Sequence, residues 1–200
     1  AIFLEYIPFI VLLLALFTIS GGILIKGDFV GTPKFNLILL FIGTSLASWM
    51  GTTGAAMLLI RPLIRANKWR EEKTHIIIFF IFLVANIGGS LTPLGDPPLF
   101  IGFLKGVDFF WTTKYMLMPM IFVSIFVLVI FYFVDNYFFK KETNEMPDTN
   151  SSNFTIDGKI NFIFLLVVII SVILSGFYKD NLGYISIFDN KIRISFLLRD

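Results

Sequence analysis

One segment of the sequence combines ion-binding side chains with a backbone that cannot remain a regular helix. Residues 86–98 read NIGGSLTPLGDPP, with three prolines, three glycines and one carboxylate between apolar flanks. Proline lacks the amide donor and clashes with the preceding turn, so a helix that enters this segment must break. A broken helix exposes amides and carbonyls, which bind ions without a full countercharge. The candidate ion-binding positions here are Asn86, Thr92, Gly95, Asp96 and Pro97.

Asp96 is the only carboxylate in the apolar part of this segment, and two interpretations of it stay open. A carboxylate at membrane depth is costly, and it usually faces a transport pathway or a charged partner. Alternatively, Asp96 caps the following half-helix, in which Pro97 would be the first helical residue. The two roles are compatible with each other.

A second interruption, GTTG at residues 51–54, divides the apolar run 37–64 into two arms. Each arm is about 15–20 Å long at 1.5 Å per residue, too short to cross ~30 Å of hydrocarbon. The run is either a re-entrant hairpin or one continuous span with a polar packing face. In the hairpin interpretation, the tip adds Gly51, Thr52 and Thr53 to the candidate site. The possible ligands of a sodium ion are then Thr52, Thr53, Thr92 and Asp96.

The composition indicates that the elements carrying these residues lie in a membrane. Hydrophobic residues make up 56% of the 200, phenylalanine alone occurs 25 times, and the mean hydropathy is +0.85. A soluble domain of this size could not bury so much apolar surface, but lipid accepts it. The chain has no cysteine and one histidine, so we expect no thiolate or histidine-rich metal site. No motif predicts an enzyme, a cofactor or a nucleic-acid partner.

We therefore expect an all-α membrane protein: a polytopic helical bundle with a re-entrant hairpin and a discontinuous helix. Residues 1–139 would form a first unit, followed by a cytoplasmic loop at 140–160 and a further segment at 161–200. The predicted elements are a span at 2–25, the hairpin at 37–64, the broken helix at 74–106, and spans at 115–139 and 162–177.

Basic residues indicate the orientation of these elements. Because cytoplasmic loops are rich in lysine and arginine, we place residues 65–73 (RANKWREEK) and 140–160 in the cytoplasm and 107–114 outside. Lys26 and Lys34 fall on the cytoplasmic side only in the hairpin interpretation, which this pattern therefore favours. Two further residues are interpreted without a site role: Arg61 as a topology anchor and His75 as an interfacial residue.

The segment 86–98, continued by LFIGFLKGV at 99–107, resembles a signature of the ion-transporter superfamily. That superfamily includes citrate carriers, divalent-anion/sodium symporters, arsenite efflux pumps and a class of sodium–proton antiporters. Residues 48–64 (SWMGTTGAAMLLIRPLI) are similar to its first re-entrant hairpin. The resemblance covers residues 2–139 and implies one half of an inverted-repeat transporter. Residues 1–139 would then be the first transporter repeat, and residues 161–200 would be the truncated start of the second half. In such transporters two hairpins and two broken helices form the site, and an elevator-like motion carries it across the membrane.

Two positions depart from the pattern of the symporters in this superfamily. Their hairpin tip frequently reads Ser-Asn-Thr, whereas this chain has Gly51-Thr52-Thr53. Their helix break typically has threonine where Asp96 stands here, and the pump and antiporter branches carry aspartate. Both departures favour cation or proton coupling over the binding of a dicarboxylate.

The sequence thus predicts a secondary active transporter of a small ion, coupled to Na⁺ or H⁺. Antiport of Na⁺ for H⁺ and transport of a carboxylate such as citrate both stay open, and a passive ion channel is the alternative. We expect a multi-pass protein of the bacterial inner membrane, in contact with the lipid bilayer and able to form a homodimer when complete.

Overall fold

The computed structural model describes residues 7–147, 155–177, 184–187 and 190–193, which are mostly helical. The helices are α1 (Ile7–Gly21), α2 (Pro33–Met50), α3 (Thr52–Ala66), α4 (Thr74–Leu83), α5 (Pro97–Leu104), α6 (Trp111–Lys141) and α7 (Ile160–Phe177), with a 3₁₀ helix at Ile87–Leu91. The strands are β1 (Leu24–Lys26), β2 (Thr155–Asp157), β3 (Tyr184–Ile187) and β4 (Asn190–Arg193).

Among the residues that the structure describes, two stretches are long and apolar enough to cross a membrane by length and composition. They are Thr74–Leu91, which contains α4 and the 3₁₀ helix, and Trp111–Lys141, which is α6. The apolar helical stretches Phe9–Gly21 and Ile160–Ser175 are shorter. On α6, large side chains such as Met118 are up to 75% exposed, as expected for a surface that contacts lipid. A largely helical and strongly apolar chain is therefore confirmed.

Helices α2 and α3 form an antiparallel helical hairpin. Thr32 caps α2 and Pro33 opens it, as is common at helix N-termini. The Gly31 amide donates to the Ala66 carbonyl at 2.8 Å, which brings the start of α2 beside the end of α3. Between the helices Gly51 has a φ of +80°, a conformation that glycine adopts without strain. We call the turn at Gly51 the tip of the hairpin and the opposite end the base.

The helix predicted at residues 74–106 is interrupted where its glycines and prolines lie. Helix α4 ends at Leu83, the 3₁₀ helix follows, and Thr92 is extended before α5 begins at Pro97. The start of α4 lies at the base, and the interruption packs against α2 near the tip. The chain therefore brings its two irregular segments to the same region.

Two pairs of short strands accompany the helices in the described residues. The apolar run predicted to span residues 2–25 leaves its helix at Gly21, because two consecutive glycines favour helix termination, and β1 follows. β1 pairs antiparallel with β2, in the loop predicted at 140–160, and Lys26 forms a salt bridge of 2.6 Å with Asp157. β3 and β4 form a second antiparallel pair. The first pair brings the end of α1 close to the start of α7.

Other element boundaries also differ from the predicted ones. Helix α6 begins at Trp111, four residues before the predicted span at 115–139, and continues to Lys141. The predicted hairpin at 37–64 is extended at both ends, since α2 begins at Pro33 and α3 ends at Ala66. Polar residues occupy these added turns, so hydropathy alone marks only the apolar part of each helix.

Candidate functional site

The tip of the hairpin and the break between α4 and α5 meet at one cavity, which we call the tip cavity. It encloses about 30 Å³. One water needs at least about 10–15 Å³, so the space suits one or two waters or a single cation. The lining residues are Gly51, Thr52, Thr53, Gly54, Pro93, Leu94, Gly95, Asp96 and Pro97, with Phe9, Leu12, Leu13, Leu16 and Phe17 of α1 among the apolar remainder.

Glycines allow the two irregular segments to approach this closely. The Thr52 amide donates to the Gly95 carbonyl at 3.1 Å, a direct bond between the tip and the break. A Cβ atom on Gly95 would overlap the carbonyl of Gly89, and one on Gly89 would collide with Thr52 Cγ2. A side chain at either glycine would therefore push the break away from the tip.

Ser48, one turn before the tip, holds the break from the α2 side. Its hydroxyl donates to the Gly88 carbonyl and accepts from the Leu91 amide, the latter at 3.2 Å. The Thr92 hydroxyl in turn donates to the Ser48 carbonyl. These bonds satisfy backbone groups that an interrupted helix leaves free, which membrane interiors require. Sequence reasoning missed Ser48, although a serine inside an apolar helix next to a turn is a signal for such a role.

Helix α6 holds the same break from its other side. The hydroxyls of Thr112 and Thr113 both donate to the Leu91 carbonyl, at 3.0 and 2.6 Å. Both threonines lie in the first turn of α6, whereas the sequence predicts them in the external loop at 107–114. The break is thus a hydrogen-bonded segment rather than a loose loop.

Asp96 occupies the N-cap position of α5 without capping it. Its backbone is extended, with φ −144° and ψ 134°, and its side chain makes no capping hydrogen bond. Pro97 and Pro98 have no amide donors, and the Leu99 amide donates to the Asp96 backbone carbonyl at 3.0 Å. Among the described residues, the carboxylate has no hydrogen bond and no ion pair. It lines the tip cavity instead.

The first turn of α3 supplies positive partial charge to the same cavity. Thr52 is the first residue of this 15-residue helix, and Gly51 before it provides no side-chain cap. The first amides of a helix have no acceptor inside the helix and carry part of its dipole. The tip cavity is therefore lined by one carboxylate residue, two threonines and a helix N-terminus.

Of the eight predicted site residues, six line the tip cavity and two do not. The six are Gly51, Thr52, Thr53, Gly95, Asp96 and Pro97. Thr92 is fully buried, and its hydroxyl donates to the Ser48 carbonyl behind the cavity. Asn86 is exposed, and its amide donates to the Ile81 carbonyl at 2.7 Å. Their placement suits them to shaping the break rather than to lining this cavity.

A second polar cluster, the base network, lies at the base of the hairpin. The Asp135 carboxylate accepts from Arg70 Nη1 at 2.6 Å and from Asn36 Nδ2 at 3.0 Å. His75 Nε2 lies 2.8 Å from the same carboxylate. Asn36 and Asn67 exchange two side-chain hydrogen bonds, at 3.0 and 2.8 Å. The Arg70 and Asp135 side chains are fully buried.

The base network corrects two interpretations made from the sequence. His75 is a partner of Asp135 and stacks on Phe138, with 4.7 Å between ring centroids, rather than only an interfacial residue. Arg70, counted among the basic charges of the loop 65–73, is neutralised inside the protein. The network joins α2, the α3–α4 connection and α6, and its members are up to 99 residues apart in sequence.

Comparison with known proteins places the chain in one group. A family model described as "Putative citrate transport" matches residues 1–200. No curated protein and no solved structure matches the chain. The match agrees with the resemblance to citrate carriers found in the segments at 48–64 and 86–107.

Proposed function

Because the chain belongs to the citrate transport family, we propose that it is one half of a cation-coupled secondary transporter for a citrate-like carboxylate. The observation that carries this proposal is Asp96, an unpaired carboxylate in a small cavity where two interrupted helical segments meet. Paired interruptions of this kind are the arrangement by which secondary transporters bind ions near the middle of the bilayer.

In this proposal the tip cavity binds the coupling cation. The Asp96 carboxylate supplies the charge, and the hydroxyls of Thr52 and Thr53 supply neutral oxygen ligands. The volume of about 30 Å³ suits one cation that has lost most of its water. A proton would use the same carboxylate, so Na⁺ and H⁺ would compete for one position.

The carboxylate substrate would bind next to this cation rather than inside the tip cavity. A tricarboxylate is much larger than the one or two waters that the cavity admits. The amides in the first turn of α3 would contribute one anion-binding surface. Elements of a second, inverted repeat would supply the remaining substrate contacts. The complete protein would therefore be needed for a transport cycle.

Antiport of Na⁺ for H⁺ is a second candidate, favoured by the lack of any partner for Asp96 among the described residues. A carboxylate with no fixed countercharge can exchange one cation for another, because neither has to displace a salt bridge. Citrate flux would accompany cation flux in a coupled citrate transporter but not in a Na⁺/H⁺ antiporter, so measuring both fluxes distinguishes the two candidates. A passive channel would need no gradient of either cation.

The test is flux in vesicles that contain the full-length protein. We expect citrate uptake to depend on an inward Na⁺ or pH gradient and to fall at least tenfold in Asp96→Asn at equal protein content. Asp108→Asn, which changes an exposed carboxylate in the loop before α6, is the matched control and should leave uptake unchanged. Near-normal, still pH-dependent uptake by Asp96→Asn would exclude Asp96 as the coupling site.

We also propose that the α2–α3 hairpin is re-entrant. Its two ends meet at the base, so Lys34 and Lys68 should lie on the same side of the membrane. A single cysteine at either position should react with an impermeant thiol reagent only from the cytoplasmic side. Reaction of the two cysteines from opposite sides would establish a continuous span instead.

A further inference from the structure

A second cavity lies between α1 and α3, one helical turn closer to the base than the tip cavity. We call it the groove cavity. It encloses about 210 Å³, more than ten times the space that one water needs, so it admits a small organic molecule. Its lining residues are Ser20, Gly21, Ile23, Leu24, Met57, Leu58, Ile60 and Arg61.

Ser20 lies at the boundary between the groove cavity and the tip cavity. Its side chain is 1% exposed, and its hydroxyl has no hydrogen-bond partner among the described residues. The hydroxyl lies against Gly54, where a Cβ atom would be only 2.5 Å from Ser20 Oγ. Buried hydroxyls are nearly always hydrogen-bonded, so an orphaned one that lines a cavity points to a ligand or a water.

Arg61 lies at the other end of the groove cavity. It is exposed, and it forms no ion pair with any residue that the structure describes. Gly54, Met57 and Arg61 are spaced by three and four residues, so they share the face of α3 that lines the groove. The guanidinium matches the geometry of a carboxylate or a phosphate, to which it donates two parallel hydrogen bonds.

Positive charge continues from Arg61 toward the base. Arg65 follows one turn later on α3, and with Lys68 and Lys26 it lines a larger open cavity of about 750 Å³. Lys26 is paired with Asp157, whereas Arg65 and Lys68 form no ion pair among the described residues. The same cavity is also lined by Asp28, so positive charge predominates there without being the only charge. A cleft with an excess of positive charge concentrates anions.

We propose that the α1–α3 groove is an access path for an oxyanion, in which Arg61 binds a carboxylate ligand and Ser20 hydrogen-bonds it on the way to a binding position next to the tip cavity. The identification of the ligand as a carboxylate rests on the proposed transport function. An anionic lipid headgroup carries the same oxyanion chemistry. Protection of a groove cysteine by citrate or by anionic lipid distinguishes a carboxylate substrate from a lipid headgroup.

The test needs no transport measurement. It uses the lack of cysteine in residues 1–200, with any cysteine elsewhere in the full-length protein replaced by serine. A cysteine at Met57, in the full-length protein in vesicles of phosphatidylcholine, is treated with a sulfonate and a trimethylammonium thiol reagent of similar size. We expect the anionic reagent to react about five to ten times faster than the cationic one, and millimolar citrate to slow it at least threefold. Arg61→Gln should remove both effects, and Arg61→Lys should retain the preference for the anionic reagent. A cysteine at Met116, equally exposed on α6, is the control and should show neither effect.

Three outcomes would overturn the inference. Equal rates for the two reagents would show that Arg61 does not attract anions into the groove. Protection by citrate that persists in Arg61→Gln would place the anion elsewhere. Protection by phosphatidylglycerol in the vesicles, with none by citrate, would identify a lipid site. Citrate protection in a protein that transports no citrate would support the groove site while refuting the proposed function, so the two can fail separately.

Discussion

The two ends of the α2–α3 hairpin use polar residues in opposite ways. At the base, Asp135 and Arg70 are fully buried, and the carboxylate has partners on three sides. At the tip, Asp96 has a carboxylate of the same chemistry but no partner among the described residues. A buried charge that is fully paired holds helices together, whereas an unpaired one beside a cavity is free to bind a ligand. The comparison supports an anchoring role for the base and, under the proposed function, cation exchange at the tip.

The largest effect on stability should come from removing the carboxylate of the base. Asp135→Ala leaves the Arg70 guanidinium buried without its countercharge, which costs about 3–5 kcal/mol. Denaturant titration of the full-length protein in detergent would measure this loss. The double variant Arg70→Met/Asp135→Leu should recover more than half of it, because it removes both charges at similar volume. A loss below about 1 kcal/mol in Asp135→Ala would contradict the anchoring role.

Gly95→Ala should have the next largest effect, because the tip and the break have no room for a methyl group. The new Cβ atom would overlap the Gly89 carbonyl, and we expect destabilisation of about 1–3 kcal/mol together with loss of transport. Gly102→Ala in α5 is the control, since its Cβ would meet Val107 at an ordinary 3.8 Å. That variant should be neutral or stabilised by up to about 1 kcal/mol. Equal free energies of unfolding and equal transport in the two variants would mean that the contact between Gly95 and Gly89 is not tight.

Ser48→Ala tests whether the break needs its hydrogen bonds from α2. The change leaves the Gly88 carbonyl and the Leu91 amide without their side-chain partner, which should cost about 1–3 kcal/mol. Ser45→Ala is the matched control, because the Ser45 hydroxyl donates only to the Phe41 carbonyl in its own helix. It should change the free energy of unfolding by less than about 0.5 kcal/mol. A Ser48 variant as stable as the Ser45 variant would show that the break is held by its glycine contacts alone.

The smallest change in stability should follow from Asp96→Asn. The carboxylate has no partner to lose among the described residues, so the free energy of unfolding should shift by less than about 0.5 kcal/mol. The same substitution at Asp135 removes charge from a salt bridge and should cost several times more. If Asp96→Asn proved as destabilising as Asp135→Asn, the tip carboxylate would be structural, and the contrast between the two ends would fail.

Local sequence features were enough to find the tip and the break. Glycine and proline disrupt helices through their own backbone chemistry, so GTTG at 51–54 and NIGGSLTPLGDPP at 86–98 stand out without any tertiary information. Asp96 was conspicuous for a similar reason, since a carboxylate between apolar runs is rare. These features predicted the positions of both interruptions and six of the residues that line the tip cavity.

The base network could not be predicted in the same way, because its members are distant in sequence. Arg70 and Asp135 are 65 residues apart, and neither lies in a pattern that marks it as buried. Charge counting treats Arg70 as a solvated loop residue, and hydropathy treats Asp135 as a minor defect in an apolar helix. The strands β1 and β2 are three residues each, too short for alternation to distinguish them from a loop.

Helix α6 has a further consequence for how deeply the protein sits in its bilayer. Its 31 residues extend about 46 Å at 1.5 Å per residue, well beyond the ~30 Å of hydrocarbon. If Trp111 and Tyr115 sit at one headgroup layer, Asp135 lies about 36 Å along the axis from Trp111, at the level of the opposite headgroups. By its position, the buried ion pair then marks the level of the membrane–water interface along α6. A thicker bilayer would draw it into hydrocarbon, and a thinner one would tilt α6, so citrate flux should vary with lipid chain length.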